Sequence, residues 1–264
     1  MIELLGIGVE RNGGGWLLHR VCAHWERPEL VAVVSSSAAE RGALLDALGG
    51  RVVPSEGRAW IDRVPLTAET AARIRARVAE VDLRLEPVPG RSLLWNTLAD
   101  ARPGLRMLHG LLRFPRLPER RAATSALRAV GLGERMLEPA AGLDRDGRLR
   151  LALARALTPG PSHLLIRDPD VVLEMEDAER LLHLAAALVD MERIGAVVSL
   201  RSLALARRFA TRVAVLADGL LVLDAAPDAF SLDQVGWRRW ATGGGDAGRS
   251  GEDGTAGERV QPIL

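Results

Sequence analysis

An α/β protein built on a parallel sheet is predicted by three features of this sequence. Helix-spaced and strand-like segments alternate from Gly147 onward. The apolar run LVAVV leads through three serines into a helix-patterned stretch closed by Gly49 and Gly50. Two short apolar runs flank Asp218-Gly219. Strands alternating with helices mark a parallel sheet covered by helices, and Asp-Gly between apolar runs is the strongest short hairpin signal.

The elements follow in order. Segments 2–9, 17–25 and 30–34 are leucine-rich and β-branched, separated by glycine or proline, which predicts strands. AAERGALLDAL carries apolar residues at helical spacing and its end is marked by glycine. RAWID at 58–62 follows the turn-like PSEG as a further strand. Residues 67–77 read as a helix leading into a strand over 78–83. From Ser92 to Pro139 the periodicity is helical with no strand signal. Then come helix GRLRLALARAL, strand HLLIRD, helix EDAERLLHLAAALVD, strand GAVVSL, helix SLALARRFA, and the hairpin VAVLA–LLVLD around Asp218-Gly219. The expected organisation is residues 1–91 as a β subdomain with the first part of the core, 92–140 as a helical insert, 141–242 as the second part of the core, and 243–264 as a glycine-rich, polar, disordered tail.

Composition narrows the function classes. The chain has 264 residues, 35 basic against 34 acidic side chains, a net charge of +1 and 48% hydrophobic residues. So balanced a charge sets up no field that favours nucleic acid or anionic lipid. One cysteine, Cys22, excludes a disulfide framework. The N-terminal stretch lacks the pattern of a secretory signal, and no apolar run reaches the roughly 18 residues of a membrane span, so a cytoplasmic location without membrane insertion is expected. All 35 basic residues are arginine and tyrosine is absent. Any chemistry that needs a lysine nucleophile or a phosphate-binding lysine is thereby excluded.

The order strand, loop, helix, helical insert, helix, strand and terminal hairpin resembles the ATP-binding cassette (ABC) ATPase subunits. PSEGRAWID is similar to a strand region of that family, LRLALARAL to the helix after its signature motif, HLLIRD to its Walker B strand, and residues 197–223 to its switch strand and closing hairpin. SLLWNTLADA with the insert behind it is most similar to the phosphonate-importer branch. The resemblance spans about residues 1–240 and implies a P-loop-like core with an antiparallel β subdomain and a helical insert. It also implies ATP and magnesium as cofactors, and as partners a transmembrane permease or another ATPase subunit, held at the inner membrane face through the insert. A dimer is implied as well.

Carried over residue by residue, the family's motifs depart from pattern. The phosphate loop G-x-x-x-x-G-K-[ST] falls on SSSAAERGA. Ser35 stands for the first glycine, Glu40 for the second, Arg41 for the lysine and Gly42 for the magnesium-binding hydroxyl. By resemblance the vestigial nucleotide loop comprises Ser36, Ser37, Arg41, Gly42 and Ala43. A carboxylate opposes phosphate here, since two like charges 4 Å apart cost about 4 kcal/mol at an effective dielectric near 20. Ser37 and Glu40 also have the S-x-x-E spacing of a capping box, in which the helix satisfies its own free amides. The signature falls on Leu143-Asp144-Arg145-Asp146-Gly147, where acidic residues suit a helix start better than a phosphate. Asp168 matches the Walker B carboxylate and is the candidate metal ligand, while the glutamate base is replaced by Pro169. The coupling glutamine falls near Leu83, the switch histidine at Arg201 and the adenine-stacking aromatic near Asn12, with Trp16 as a neighbouring ring. Two functions are expected from these departures: a pseudo-ATPase that binds partners within a transport complex, or a divergent ATPase working through Arg41. His19, Cys22 and His24 do not share one face of a strand and make no metal set.

Overall fold

The computed structural model describes residues 1–11, 13–99 and 117–230. The expected tail, Asn12, His109 and the middle of the insert lie outside the described residues. Ten strands and eight helices appear within them. β1 (Ile2–Glu10), β2 (Trp16–Trp25), β4 (Glu56–Ile61) and β5 (Val64–Pro65) form an antiparallel sheet in the order β2-β1-β4-β5. The second sheet has the order β10-β9-β3-β8-β7-β6, from β10 (Leu220–Ala225), β9 (Arg212–Ala217), β3 (Leu30–Val34), β8 (Gly195–Leu200), β7 (His163–Ile166) and β6 (Val78–Val81). Its strands run parallel except β10, which returns antiparallel to β9 through the expected Asp218-Gly219 turn.

The all-apolar sequence of β3 follows from burial on both faces. Leu30, Ala32 and Val34 pack into a core shared with α5 (Arg145–Leu157), α7 (Met175–Glu192) and α8 (Leu203–Phe209). Val31 and Val33 face the opposite core, built from α1 (Ala38–Leu48), α2 (Ala71–Arg75) and the antiparallel sheet. The period of two along one strand thus divides two cores. α3 (Leu93–Ala99) and α4 (Leu117–Ala129) pack with α5, and both ends of this segment are joined by a bridge between Ser92 and Pro139.

Two expectations are corrected. The helix expected over 67–77 is only α2, because Thr67 and Thr70 satisfy each other's amides in a turn before it. The strand RAWID turns back at Asp62 and Arg63, both at positive φ, to make β5. A short helix α6 (Pro169–Val172) follows β7, with proline at its first position where a missing N–H costs nothing.

Candidate functional site

Three neighbouring parallel strands end at one place. β3 passes into residues 35–37, β7 into Arg167 and Asp168, and β8 ends just beyond Ser199. Carboxyl ends of parallel strands are where open α/β sheets form ligand crevices.

Ser37 caps α1: its backbone is extended and its Oγ accepts the Glu40 amide at 3.3 Å. That is half of the expected capping box, and the other half is not formed. The Ser37 amide donates to Ser35 Oγ at 3.0 Å instead. The Glu40 carboxylate turns inward, accepting from Ser35 Oγ at 2.7 Å and from the Gly219 amide at 3.0 Å. Helical geometry explains the correction. Glu40 shares a face of α1 with Ala43, Leu44 and Ala47, all buried, so its side chain points at the hairpin tip and not back at the cap.

Arg41 is 1% exposed. Its Nε donates to Asp168 Oδ1 at 2.7 Å and its Nη1 to the Ser35 carbonyl at 2.6 Å, tying the loop to the end of β7. Ser199 Oγ donates to the same Asp168 oxygen at 2.6 Å and accepts the Asp168 amide at 2.9 Å. Asp168 sits at φ 45, ahead of Pro169. Beside the loop, Arg167 Nη1 lies 3.5 Å from where a Cβ on Gly42 would stand and donates to the Gly42 carbonyl. Arg167 also binds Asp46 and Glu80 at 2.8 and 3.0 Å. Burial favours loss of its proton, but hydrogen bonding to Glu80 and the charges of Glu80 and Asp46 outweigh burial and raise its pKa. Of the remaining loop residues, Ser36 is exposed and Ala43 is a buried core residue.

Magnesium requires several oxygen donors in near-octahedral array. Here Asp168 already holds a guanidinium and a hydroxyl on one oxygen, the Glu40 carboxylate is taken by the Ser35 hydroxyl and the Gly219 amide, and Gly42 and Pro169 offer no side-chain oxygen. These residues do not fit the ion. Among the described residues no group of three or more metal-ligating side chains occurs. For a nucleotide triphosphate, the Glu40 carboxylate at the loop adds repulsion, and Arg41 is committed to Asp168.

The signature-like segment opens a helix. Asp144 caps α5 by accepting the Gly147 amide at 2.8 Å, and a Cβ on Gly147 would stand 3.0 Å from that carboxylate. Leu83 packs on the core, and Arg201 is exposed with its amide donating to Asp170. Trp16 lies against His19, and its ring covers Gly8, where a Cβ would come within 2.7 Å. Arg167, Ser199 and Gly219 escaped the sequence reading as site residues, whereas Ser35 was placed in the loop as the counterpart of its first glycine. Ser199 carried a signal as the one polar residue in GAVVSL, and Gly219 was read only as part of the hairpin turn.

Relatives agree with this architecture. The phosphite import ATP-binding protein PxtA of Stutzerimonas stutzeri is 32% identical over 230 residues, 87% of this chain and 83% of the relative. The phosphonates import ATP-binding protein PhnC 1 of Natronomonas pharaonis is 32% identical over 236 residues, 89% and 97% of the two chains. This chain belongs to the phosphonate and phosphite import ATP-binding family. No family model matches it. Its fold is that of an ABC nucleotide-binding domain. The structure of cbiO1 from Clostridium perfringens superimposes with a TM-score of 0.70 at 18% identity, covering 90% of this chain and 93% of that one. An ATP-binding cassette in its ADP conformation gives 0.72 at 13% identity, covering 86% and 91%. Among the described residues of this family member no helix is long and apolar enough to cross a membrane.

Proposed function

We propose that this member of the phosphonate-import family is a non-hydrolysing subunit of a transport complex, a pseudo-ATPase that acts by binding partners. The observation that carries this reading is the closed loop: Ser37 caps the helix, the Glu40 carboxylate occupies the loop, and Arg41 is paired with Asp168. A nucleotide would have to separate a buried ion pair and approach a carboxylate, both costly in a low-dielectric setting. In the family arrangement each nucleotide lies between the phosphate loop of one subunit and the signature of the other. This chain alters both segments, so pairing with an intact subunit would compromise both composite sites. The partner is a permease or a second ATPase subunit, met through the insert at residues 92–140, which places the protein in the cytoplasm against the inner membrane.

A second reading, a divergent ATPase that drives import through Arg41, draws on relatives named as import ATP-binding proteins. Calorimetry with ATP, with and without magnesium, separates the two when run on the natural protein beside Glu40→Gly. The expected result is no binding heat from the natural chain and recovered binding in the variant. Silence from both keeps the non-binding reading and moves the block to the Arg41–Asp168 pair. Micromolar, magnesium-dependent binding to the natural chain establishes the second reading.

A further inference from the structure

At the amino-terminal end of β7 and β8, opposite the loop, a cavity of about 700 Å³ is bordered by four arginines, Arg27, Arg63, Arg77 and Arg193, against two carboxylates, Glu26 and Asp62. Asp62 is already engaged. It pairs with the Met1 amine at 2.9 Å, lies 3.5 Å from Arg27 Nη2, and stands 3.8 Å from His163. Arg63, Arg77 and Arg193 are exposed, and among the described residues none of their guanidinium groups makes a hydrogen bond or ion pair.

The backbone gives an independent pointer. Asp62 and Arg63 form the two-residue turn between β4 and β5, at φ 49 and φ 63, and Arg193 closes α7 at φ 54. Hairpin turns with two positive φ values, and left-handed helix ends, are positions where glycine is free of strain and arginine is not. Glycine takes a positive φ at nine described positions; arginine does so at three, Arg20, Arg63 and Arg193, and the last two border this cavity. Strained conformations gather where function fixes them.

We infer that this arginine-bordered cavity binds a multiply charged phosphate-type oxyanion. The guanidinium fork matches the paired oxygens of such a group, and three forks without a protein partner border one concave surface. The site lies at the opposite strand ends from the nucleotide loop, so its ligand is bound independently of Arg41. The local field agrees. Burial first, and then the Met1 amine and Arg27, depress the pKa of His163 to about 4 against the opposing pull of Asp62. An anion seated among the arginines cancels part of that positive potential and raises it.

Calorimetry of the full chain with sodium diphosphate, inorganic phosphate and sodium sulfate tests this, with the His163 ring signal followed by NMR. One diphosphate bound per chain, more tightly than phosphate or sulfate, is expected, with an upward shift of the His163 midpoint. Each arginine removed by Arg77→Ala or Arg193→Gly weakens binding about five-fold, the worth of an exposed charge-assisted contact. Arg193→Gly should also raise the melting temperature, since glycine relieves the positive φ. Binding lost while stability is gained separates ligand contact from a folding defect. Absent or unsaturable binding, equal affinity for all three anions, or full affinity in the double variant would each overturn the assignment.

Discussion

The Glu40 carboxylate accepts a hydrogen bond from the amide of Gly219 at 3.0 Å, joining the first turn of α1 to a hairpin tip 179 residues later in the chain. The same carboxylate takes the Ser35 hydroxyl. A side chain that would repel phosphate is thus the centre of a buried polar network, and Gly219 also accepts the His19 amide. The loop, the closing hairpin and β2 are fastened together through it.

Replacing Glu40 by alanine leaves the Gly219 amide and the Ser35 hydroxyl without their acceptor. Stability should fall by about 1–3 kcal/mol, the cost of buried donors left unpaired. Urea unfolding of Glu40→Ala measures this, and an unchanged midpoint would remove the network from the list of stabilising features.

The Arg41–Asp168 pair is set in a nearly closed environment, with side-chain exposures of 2% and 18%. Removing one partner strands the other, so Arg41→Ala or Asp168→Ala should each cost about 3–5 kcal/mol. The double variant should cost much less than the sum of the two. Arg41→Lys keeps the charge but cannot reach Asp168 and the Ser35 carbonyl with one planar group, and should be less stable than the natural protein. A double-mutant cycle by chemical denaturation reads the coupling directly; additive costs would dissolve the pair.

His163 gives the pH dependence. Burial holds its pKa at about 4 in the folded chain, below the ordinary value of 6.5, with Asp62 opposing and the Met1 amine and Arg27 reinforcing. The unfolded chain therefore binds more protons between these values. Stability is full above about pH 6.5 and declines by up to about 3 kcal/mol as the pH falls toward 4. Asp62 continues the loss. Burial pushes its pKa up, but the Ser162 hydroxyl, the Met1 amine and His163 together hold it below the ordinary value of 3.8, so its contribution is lost as the pH falls below 3.8. Denaturation midpoints from pH 7.5 to 4.5 should slope downward in the natural protein and flatten in His163→Phe; parallel slopes would assign the effect elsewhere.

Ser37 and Asp144 cap helices in different parts of the fold. Ser37→Ala and Asp144→Ala should each cost about 1 kcal/mol, and together about twice that because they share no partner. Thermal melts of the three variants check both size and additivity; a double variant no worse than either single one would show that the caps are not independent.

Much of the fold was legible because it is local. β3 and β8 begin and end where the apolar runs LVAVV and GAVVSL do, and the Asp218-Gly219 turn fell between β9 and β10 as its chemistry requires. The end of α1 at Gly49 and the cap at Ser37 were also readable. The short β5 was hidden, since a two-residue strand after an Asp-Arg turn has no periodicity to detect. The direction of Glu40 is not legible in the sequence because the S-x-x-E spacing describes a local bond, while the donors its carboxylate meets are the Ser35 hydroxyl and the amide of the distant Gly219.

By itself the sequence determined the α/β class, the alternation of strands and helices that marks a parallel sheet, the absence of any lysine, and the departures at Ser35, Glu40, Gly42 and Pro169. These are properties of residue type and spacing along the chain, which local conformational preference and periodic burial translate into elements. Tertiary structure alone decided that Arg41 meets Asp168 across 127 residues, that Ser199 supports the same oxygen, and that four arginines from separate turns border one cavity. Charged and hydroxyl groups are satisfied by whatever the packed sheet brings within about 3 Å, and that distance is fixed only when the strands have found their order.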